Sequence, residues 1–515
     1  MWRLPSDRSV LLGTAIAIFV MCCLLPVVYL LVAAARDVDI LAAVALDERQ
    51  RGLLYNTSLL GGGTAALSTA IGVPLGIALA RVRLPLKNAI RLALVAPLLI
   101  PPYIAGLAWT YLGLNRNWEI TYSLSGAVLV LTTVFYPLAM VATEVALRRI
   151  DGRLEEAALM SAPPARVLRR ISLPLAGPSI VAATLMIFVL AISEFGVPGL
   201  LQVRVYTTEV FTAFAALYDF SRALLLTAPL ILLCGVMSVA AAMLLGDRLV
   251  VSRRVAGHLP AQFDEWRTAA VGAAIAVMAL AVILPIALLS REALAAQSPA
   301  AVLAGSGRAI FNSVMLAGVG ATAVVAVAIF IGYAGARATR RLGQSADILF
   351  IVLFAVPSTI VGVGLIGLWN RPGWVGTLYG TDAMLLLGYL ARFVPVATLA
   401  LAAGIRQIPR SHEEAAAVSG ARWSRTYRVI VLPQIALAVA STWVVVFILA
   451  FGELGVSVLV APPGEATLPI RIYTLIANAP SSHVALLALL QTAVVFVPLA
   501  ALGAGAAMHA SRETR

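Results

Sequence analysis

The sequence of 515 residues has little charge: Asp, Glu, Lys and Arg together make up 12% of it, against about 25% in a typical soluble domain. Hydrophobic residues make up 61%, and the mean hydropathy is +0.97. A soluble chain could not bury so much apolar surface, and several apolar runs reach the roughly 20 residues that cross a bilayer as a helix. Because these runs lack polar alternation, they indicate helices and exclude a membrane β-barrel.

Cysteine and histidine are also scarce. Cys22 and Cys23 are adjacent, Cys234 is isolated, and all three lie in apolar runs. This spacing excludes a disulfide framework and a cysteine metal site. The four histidines form no cluster along the chain. We therefore expect no metal site in the chain.

The chain lacks a G-x-x-x-x-G-K-[ST] loop, which binds nucleotide phosphates. The glycine-rich stretch GGGTAAL at 61–67 has no lysine and lies in an apolar run, where small residues allow close helix packing. No His, Asp or Ser constellation with catalytic spacing occurs in the apolar runs. The sequence therefore predicts no catalytic residue, no bound cofactor and no enzymatic activity in this chain.

The net charge of +13 comes from short basic clusters between the apolar runs. This arrangement is typical of membrane proteins, whose cytoplasmic loops are rich in Lys and Arg, and it argues against nucleic-acid binding. Most of the 37 basic residues fall in the terminal segments and in alternate loops. The sequence therefore predicts that both termini face the cytoplasm.

The apolar runs fall into two sets of six. The first set lies near 10–35, 53–80, 89–113, 124–147, 175–200 and 223–246, and the second near 268–290, 309–336, 346–369, 382–404, 434–460 and 484–508. A polar linker at 248–267 separates them. We predict an all-α membrane protein of about twelve transmembrane helices, with one half at 1–247 and the other at 268–515.

The two halves repeat. LLYNTSLL at 53–60 matches AIFNSVML at 309–316, and the same shift of 256 positions pairs Arg81 with Arg337 and Pro101 with Pro357. The shift grows to only 259 positions where Pro174 pairs with Pro433. Such a regular shift indicates duplication of one six-helix unit. Because each unit has an even number of spans, the two halves are predicted to be parallel repeats.

A polar segment follows the fourth span of each half. EEAAAVSGARWSRTYRVIVLPQ runs from Glu413 to Gln434, and EEAALMSAPPARVLRRISLPL from Glu155 to Leu175. Acidic residues are favoured at a helix start, alanines favour the helix, and Gly420 allows a tight turn. We predict a cytoplasmic helix–turn–helix within about 148–174 and 405–433. Two equivalent loops on one face predict a partner that is itself two-fold.

The second segment resembles the EAA loop of ABC importer permeases, through Glu414-Ala415-Ala416, then Gly420, then Leu432-Pro433. The first segment departs from the pattern. Glu156-Ala157-Ala158 is followed by Ala162 in place of glycine, Leu173-Pro174 comes one residue early, and Pro163 and Pro164 occupy the turn. The resemblance implies that these residues, with Glu155 and Glu413, couple the chain to an ATPase.

The resemblance also implies partners and a location. Two copies of a cytoplasmic ATPase would bind ATP and Mg²⁺, and a periplasmic binding protein would deliver the solute to this multi-pass protein of the bacterial inner membrane. The fusion of two halves is similar to ferric-iron permeases, whose relatives include thiamine, phosphonate and polyamine systems. An ion-coupled secondary transporter with two parallel halves is a more distant alternative.

Several residues within the apolar runs are candidates for the transport pathway or a gate. Glu194 and Glu453 are equivalent and each is followed by x-Gly, at Gly196 and Gly455. Ionisable residues in spans are costly and suggest function, but each glutamate could equally cap a broken helix. Arg392 has no duplicated partner, and it either pairs with a carboxylate or lies in a wet cavity. Pro101 and Pro357 predict broken helices.

Overall fold

The computed structural model describes residues 7–36, 48–116, 119–245, 263–464 and 467–513. Within these ranges the chain consists of helices, turns and short connections, without a β-strand. Nine of the described helices are long and apolar enough to cross a membrane, and three pairs of helices bent at a short break complete a set of twelve. The predicted all-α membrane fold is confirmed. Most of the predicted linker, 248–262, lies outside the described residues.

We number the spans 1 to 12 along the chain. Spans 1 to 6 are Arg8–Ala33, Glu48–Arg81, the bent pair Lys87–Leu99 and Pro102–Gly113, Leu124–Arg148, Pro164–Ser193, and Phe220–Leu244. Spans 7 to 12 are Asp264–Ala293, Gly307–Arg337, the bent pair Arg340–Ala355 and Ser358–Trp369, Asp382–Arg406, the bent pair Trp423–Gln434 and Ala436–Phe451, and Ser481–Pro498. The shorter helices include Gly152–Leu159, Gly196–Leu200, Tyr206–Phe211, Pro299–Gly305, Arg410–Val418, Ser457–Val460 and Leu468–Asn478.

Each repeat is built around three spans. Spans 2, 4 and 5 pack against one another in the first repeat, and spans 8, 10 and 11 do the same in the second. Glycines make the closest approaches possible: a Cβ at Gly76 of span 2 would lie 2.7 Å from the Cβ of Thr143 in span 4. The two three-span cores are therefore equivalent in structure as well as in sequence.

The first span of each repeat packs on the opposite repeat. Span 1 contacts spans 8, 9 and 10, and span 7 contacts spans 2, 3 and 4. Phe263, at the start of the segment leading into span 7, is buried against Val82 and Leu168 of the first repeat. The two repeats are consecutive in sequence but interlocked in space.

Span 3 bends by 88° and span 9 by 93° at their breaks. Pro101 and Pro357 stand at these breaks, as predicted. The residue before each proline, Ile100 and Val356, has an extended backbone with ψ of 125° and 127°, because the proline ring disfavours helical geometry in the preceding residue. The residues at both breaks, Ile100 with Pro101 and Val356 with Pro357, are buried.

The predicted C-terminal ends of two spans are wrong. The runs at 175–200 and 434–460 do not continue as single helices, because spans 5 and 11 end at Ser193 and Phe451. Glu194 and Glu453 therefore lie just past the ends of these helices. Span 11 is bent by 72° near Ile435, next to the predicted start of the run at 434. Within a bilayer, unwound backbone is tolerated where protein or a wet cavity covers it.

Candidate functional site

A cavity of about 160 Å³ lies between the two repeats, where the breaks of spans 3 and 9 meet the ends of spans 5 and 11. Both repeats line it. The first repeat contributes Leu99, Pro101, Tyr103, Ser193, Glu194 and Gly196, and the second contributes Phe354, Ser358, Arg392, Gly452, Glu453 and Gly455, among others. The structure thus brings together the predicted pathway residues Pro101, Glu194, Gly196, Arg392, Glu453 and Gly455, with Pro357 next to the lining residue Ser358.

Glu194 and Glu453 each use one carboxylate oxygen to accept hydrogen bonds from the chain that follows. Oε1 of Glu194 accepts from the backbone N–H of Gly196, at 2.8 Å, and of Val197, at 3.3 Å. Oε1 of Glu453 accepts from the N–H of Val456, at 2.9 Å. Each glutamate therefore caps the turn after its span and also lines the cavity, while its role in a transport pathway or gate stays a prediction.

The glycines after these glutamates allow a close approach to the bent spans. A Cβ at Gly196 would lie 2.6 Å from the Cβ of Tyr103, and one at Gly455 would lie 3.0 Å from the Cβ of Ser358. Tyr103 and Ser358 stand at the start of the second limbs of spans 3 and 9. Real Cβ atoms essentially never approach to 2.6 Å, so a larger residue at position 196 would force a shift, and one at position 455 would require Ser358 to move.

Arg392 does not pair with a carboxylate among the described residues. Its side chain is buried, and its guanidinium donates to the backbone carbonyl of Phe354, at 2.6 Å, and to that of Val356. These carbonyls lie at the C-terminal end of the first limb of span 9, where helical partners are lacking. The guanidinium also lies 5.0 Å from the ring centroid of Phe354. Arg392 therefore stabilises the break of span 9 while it lines the cavity.

Direct hydrogen bonds join the repeats beside the cavity. Ser193 Oγ donates to the backbone carbonyl of Ala355, at 3.1 Å. Tyr103 donates its hydroxyl hydrogen to Gln491 Oε1, and Gln491 Nε2 donates to the carbonyl of Phe451, at 3.2 Å. Ser193, Tyr103 and Gln491 were not predicted from the sequence. Ser193 could have been found from its place directly before the candidate Glu194.

A helix–turn–helix follows span 4 and span 10. We call the first helices of these loops, Gly152–Leu159 and Arg410–Val418, the coupling helices. The second coupling helix begins before Glu413, and Asp151 caps the first through a hydrogen bond from Arg153 N–H, at 3.1 Å. Because six spans separate the two loops, they emerge on the same face of the protein.

The turns of the two loops differ. Gly420 has a φ of +76°, a backbone conformation that glycine adopts without strain. Ala162 stands at the equivalent position with a negative φ, and Pro163 is extended before a helix that begins at Pro164. The first loop is therefore reshaped by its prolines but keeps both helices. The second helix of each loop begins at Pro164 or Trp423 and is the first part of span 5 or span 11. Leu173-Pro174 and Leu432-Pro433 follow it within those spans.

The two glutamates of each coupling helix differ in exposure. Glu155 is fully buried and Glu413 is half-buried, whereas Glu156 and Glu414 are exposed. Ala157 and Ala415 are also exposed, and Ala158 and Ala416 are half-buried. The surface that a partner could contact is therefore formed by the second glutamate and the alanines. The ATPase-coupling role of all these residues stays a prediction.

The tips of the coupling helices carry two exposed apolar side chains that the sequence analysis missed. Met160 is 89% exposed and Val418 is 91% exposed, and they are equivalent positions of the two repeats. A single exposed apolar side chain is common on a protein surface, but here the same position of both repeats carries one. Aligning the two repeats pairs Met160 with Val418, and this pairing of apolar residues within a polar loop could have identified them from the sequence.

The family model for a binding-protein-dependent transport system inner membrane component matches the chain twice, at residues 72–251 and 325–512. Fe(3+)-transport system permease protein FbpB 2 of Haemophilus influenzae is 25% identical over 464 residues, which cover 87% of this chain and 89% of that protein. Molybdate/tungstate transport system permease protein WtpB of Thermococcus kodakarensis is 30% identical over 192 residues, or 37% of this chain and 76% of that protein.

Molybdenum transport system permease protein ModB of Mycobacterium tuberculosis is 31% identical over 166 residues, which cover 30% of this chain and 62% of that protein. The similarity to the ferric permease thus extends over both repeats, while the molybdenum permeases match a shorter part. Together with the twelve spans and the duplicated loops, the double match shows that the chain belongs to the family of binding-protein-dependent transport system inner membrane components, as a fused, two-half ABC importer permease.

Proposed function

We propose that this chain is the membrane subunit of an ATP-driven importer of ferric iron, in which a separate ATPase dimer opens the cavity between the repeats alternately to the two sides of the membrane. The observation that carries this proposal is the pairing of two equivalent coupling helices on one face with one cavity between the repeats. A secondary transporter would have no use for two such helices.

Two ATPase subunits, each binding ATP and Mg²⁺, are the partners that fit the coupling helices. Met160 and Val418 would enter equivalent apolar grooves of the two subunits, because they are equivalent positions with nearly the same exposure. Glu156 and Glu414 lie on the same helices and are exposed. The loops would then face the cytoplasm of a bacterial cell, together with both termini, and a periplasmic binding protein would deliver the solute on the opposite side.

Ferric iron is the cargo that the cavity and the relatives support best. The relatives named as ferric permeases match 77–87% of the chain, against 30–37% for the named molybdenum and molybdate/tungstate permeases. Two carboxylates line the cavity, and the guanidinium of Arg392 is already bonded to backbone carbonyls. This arrangement attracts a cation more than an oxyanion such as molybdate.

The test is reconstitution of the chain in proteoliposomes with its ATPase and one binding protein at a time. The binding proteins are loaded with ferric iron, molybdate, thiamine, phosphonate or a polyamine, and ATP hydrolysis and uptake are measured. We expect the ferric-loaded protein to stimulate both, and vanadate to stop both. Stimulation by another loaded protein alone would overturn the iron assignment. Uptake driven by an ion gradient without the ATPase would overturn the importer function itself.

A further inference from the structure

A buried ion pair ties the first coupling helix to the end of span 2. Arg81, the last residue of that span, donates from Nη2 to Glu155 Oε1 and Oε2 at 2.9 and 3.0 Å. The same nitrogen donates to the carbonyl of Leu147 in span 4, at 2.9 Å, and Ser172 of the second loop helix donates to Glu155. Arg81 is 4% exposed and Glu155 is not exposed at all. The pair thus joins four elements at one point.

The second repeat has the same pair with different neighbours. Arg337, the last residue of span 8, donates from Nε to Glu413 Oε1, at 2.8 Å, and from Nη2 to the carbonyl of Ile408, at 3.3 Å. Tyr333 donates its hydroxyl hydrogen to Glu413 Oε2, at 2.6 Å, and accepts one from Trp423 Nε1, at 3.1 Å. Trp423 belongs to the second loop helix and Ile408 to the turn after span 10, so three helices and that turn meet here.

The arginine and the first glutamate are the part that the two repeats share. Ser172 in one loop and the Tyr333–Trp423 pair in the other complete the environment of the carboxylate in different ways. Removing one partner of a buried ion pair leaves an uncompensated charge, which is strongly unfavourable. The coupling helix is therefore held in one orientation relative to spans 2 and 8 for as long as the pair is intact.

A continuous set of contacts leads from each pair to the cavity. Span 2 packs along span 5, which ends beside Glu194, and span 8 packs along span 11, which ends beside Glu453. If the loop were attached flexibly, the coupling helix could be displaced without moving the spans of its repeat. Because the loop is bonded to the end of span 2 or 8, a displacement of the coupling helix also moves the core of its repeat.

We propose that Arg81 and Arg337 are positioning residues that fix the coupling helices to spans 2 and 8, so that each helix and its span move as one body when an ATPase displaces the helix. This inference rests on the proposed function. In this inference, Glu155 and Glu413 attach the coupling helices to the arginines of spans 2 and 8. The exposed residues of the same helices make the contact with the partner.

The test measures solute imported per ATP hydrolysed in the reconstituted complex, with Arg81→Gln and Arg337→Gln. We expect this ratio to fall about fivefold or more, the lower end of typical coupling effects between sites, while the ATPase still copurifies and hydrolyses ATP. Matched controls are Arg83→Gln and Arg341→Gln, since these exposed arginines stand close by in sequence. An unchanged ratio in both Arg81→Gln and Arg337→Gln overturns the inference.

Two further measurements separate coupling from simple loss of structure. Hydrogen exchange at residues 410–418 should speed up in Arg337→Gln and not in Arg341→Gln, because only the former releases the coupling helix. Arg337→Gln combined with Glu413→Gln should lower the ratio no further than either single change. If Arg337→Gln fails to assemble, Arg337→Lys keeps the charge and loses the geometry, and a wild-type ratio in that variant contradicts the inference. If the wild-type chain transports the solute in proteoliposomes that contain no ATPase, the proposed function is refuted, whatever the variants show.

Discussion

Gly452 of the second repeat lies directly against Pro101 of the first: a Cβ at Gly452 would come within 2.7 Å of Pro101 Cγ. The equivalent position in the first repeat is Ser193, which reaches the opposite way to the carbonyl of Ala355. In each repeat, the residue just before the cavity glutamate therefore contacts the break of the other repeat's bent span. The two breaks are positioned by reciprocal contacts across the boundary between the repeats.

Gly452→Ala should disturb this boundary. The added methyl group would force Pro101 or span 11 to shift, at a cost of about 1–3 kcal/mol, as for other overpacked cores. We expect a lower thermal unfolding temperature in detergent and slower uptake. Gly235→Ala is the control, because a Cβ there meets nothing within 4 Å. Equal stability of the two variants would show that the contact at Pro101 is not tight.

The double variant Glu194→Gln with Glu453→Gln separates the two roles of the cavity glutamates. Glutamine keeps an oxygen that accepts the hydrogen bonds from the following turn, but it removes the charge. We expect near wild-type thermal stability and a fall in ferric uptake of about tenfold, which corresponds to a loss of about 1.4 kcal/mol of attraction.

The matched variant is Glu194→Ala with Glu453→Ala, which removes both charge and cap. It should lose uptake and, in addition, about 1 kcal/mol of stability for each lost cap. If the glutamine variant transports iron at the wild-type rate and only the alanine variant fails, the carboxylates are structural caps and do not act on the cargo.

Ion pairs join each of the bent spans 3 and 9 to the span that follows it, but the carboxylate lies on span 4 in the first repeat and on the bent span in the second. In the second repeat Asp347 of span 9 pairs with Arg406 of span 10, at 2.8 Å. In the first repeat both equivalent positions are arginines, Arg91 and Arg148, and buried Glu144 lies 3.1 and 2.7 Å from them. The position equivalent to Glu144 in the second repeat is Ala402. In both repeats a carboxylate therefore neutralises arginine between the bent span and the span that follows it, but the carboxylate comes from a different position in each.

Transplanting the first arrangement into the second repeat tests this equivalence. Asp347→Arg alone should cost about 3–5 kcal/mol, because it leaves two arginines without a carboxylate in a mostly buried site. Asp347→Arg with Ala402→Glu should recover most of that loss, measured by thermal unfolding. The control is Ala402→Glu alone, which places an extra carboxylate beside Asp347 and should also destabilise. A double variant no more stable than Asp347→Arg would contradict the prediction.

Gly420→Val should uncouple transport while the protein still inserts into the membrane. The φ of +76° costs a residue with a Cβ about 1–2 kcal/mol, and a β-branched residue at least as much. A Cβ at this position meets no neighbour, so the effect comes from the turn and not from packing. Gly420→Asn is the control, since asparagine tolerates this conformation. Wild-type uptake per ATP in Gly420→Val would rule out a role for the turn.

The sequence predicted most of the architecture because its signals are local or periodic. Apolar runs give the number of spans, and the near-constant shift between repeats identifies Pro101 with Pro357 and Glu194 with Glu453. The ends of spans 5 and 11 were misplaced, since apolar residues continue past Ser193 and Phe451 and composition does not show where a backbone stops being helical. Arg392 could not be assigned a partner, because its partners are backbone carbonyls, which have no sequence signature.

By itself, the sequence determined a duplicated helical membrane unit with a polar helix–turn–helix loop in each half, because hydrophobicity, helix breakers and repetition are properties of the chain alone. Only the tertiary structure decided which residues meet: that span 1 packs on the other repeat, that the two glutamates share one cavity, and that Arg81 and Arg337 lie under the first glutamate of each coupling helix. The physical reason is that such contacts join positions far apart in the chain, and their geometry depends on how the two repeats interlock.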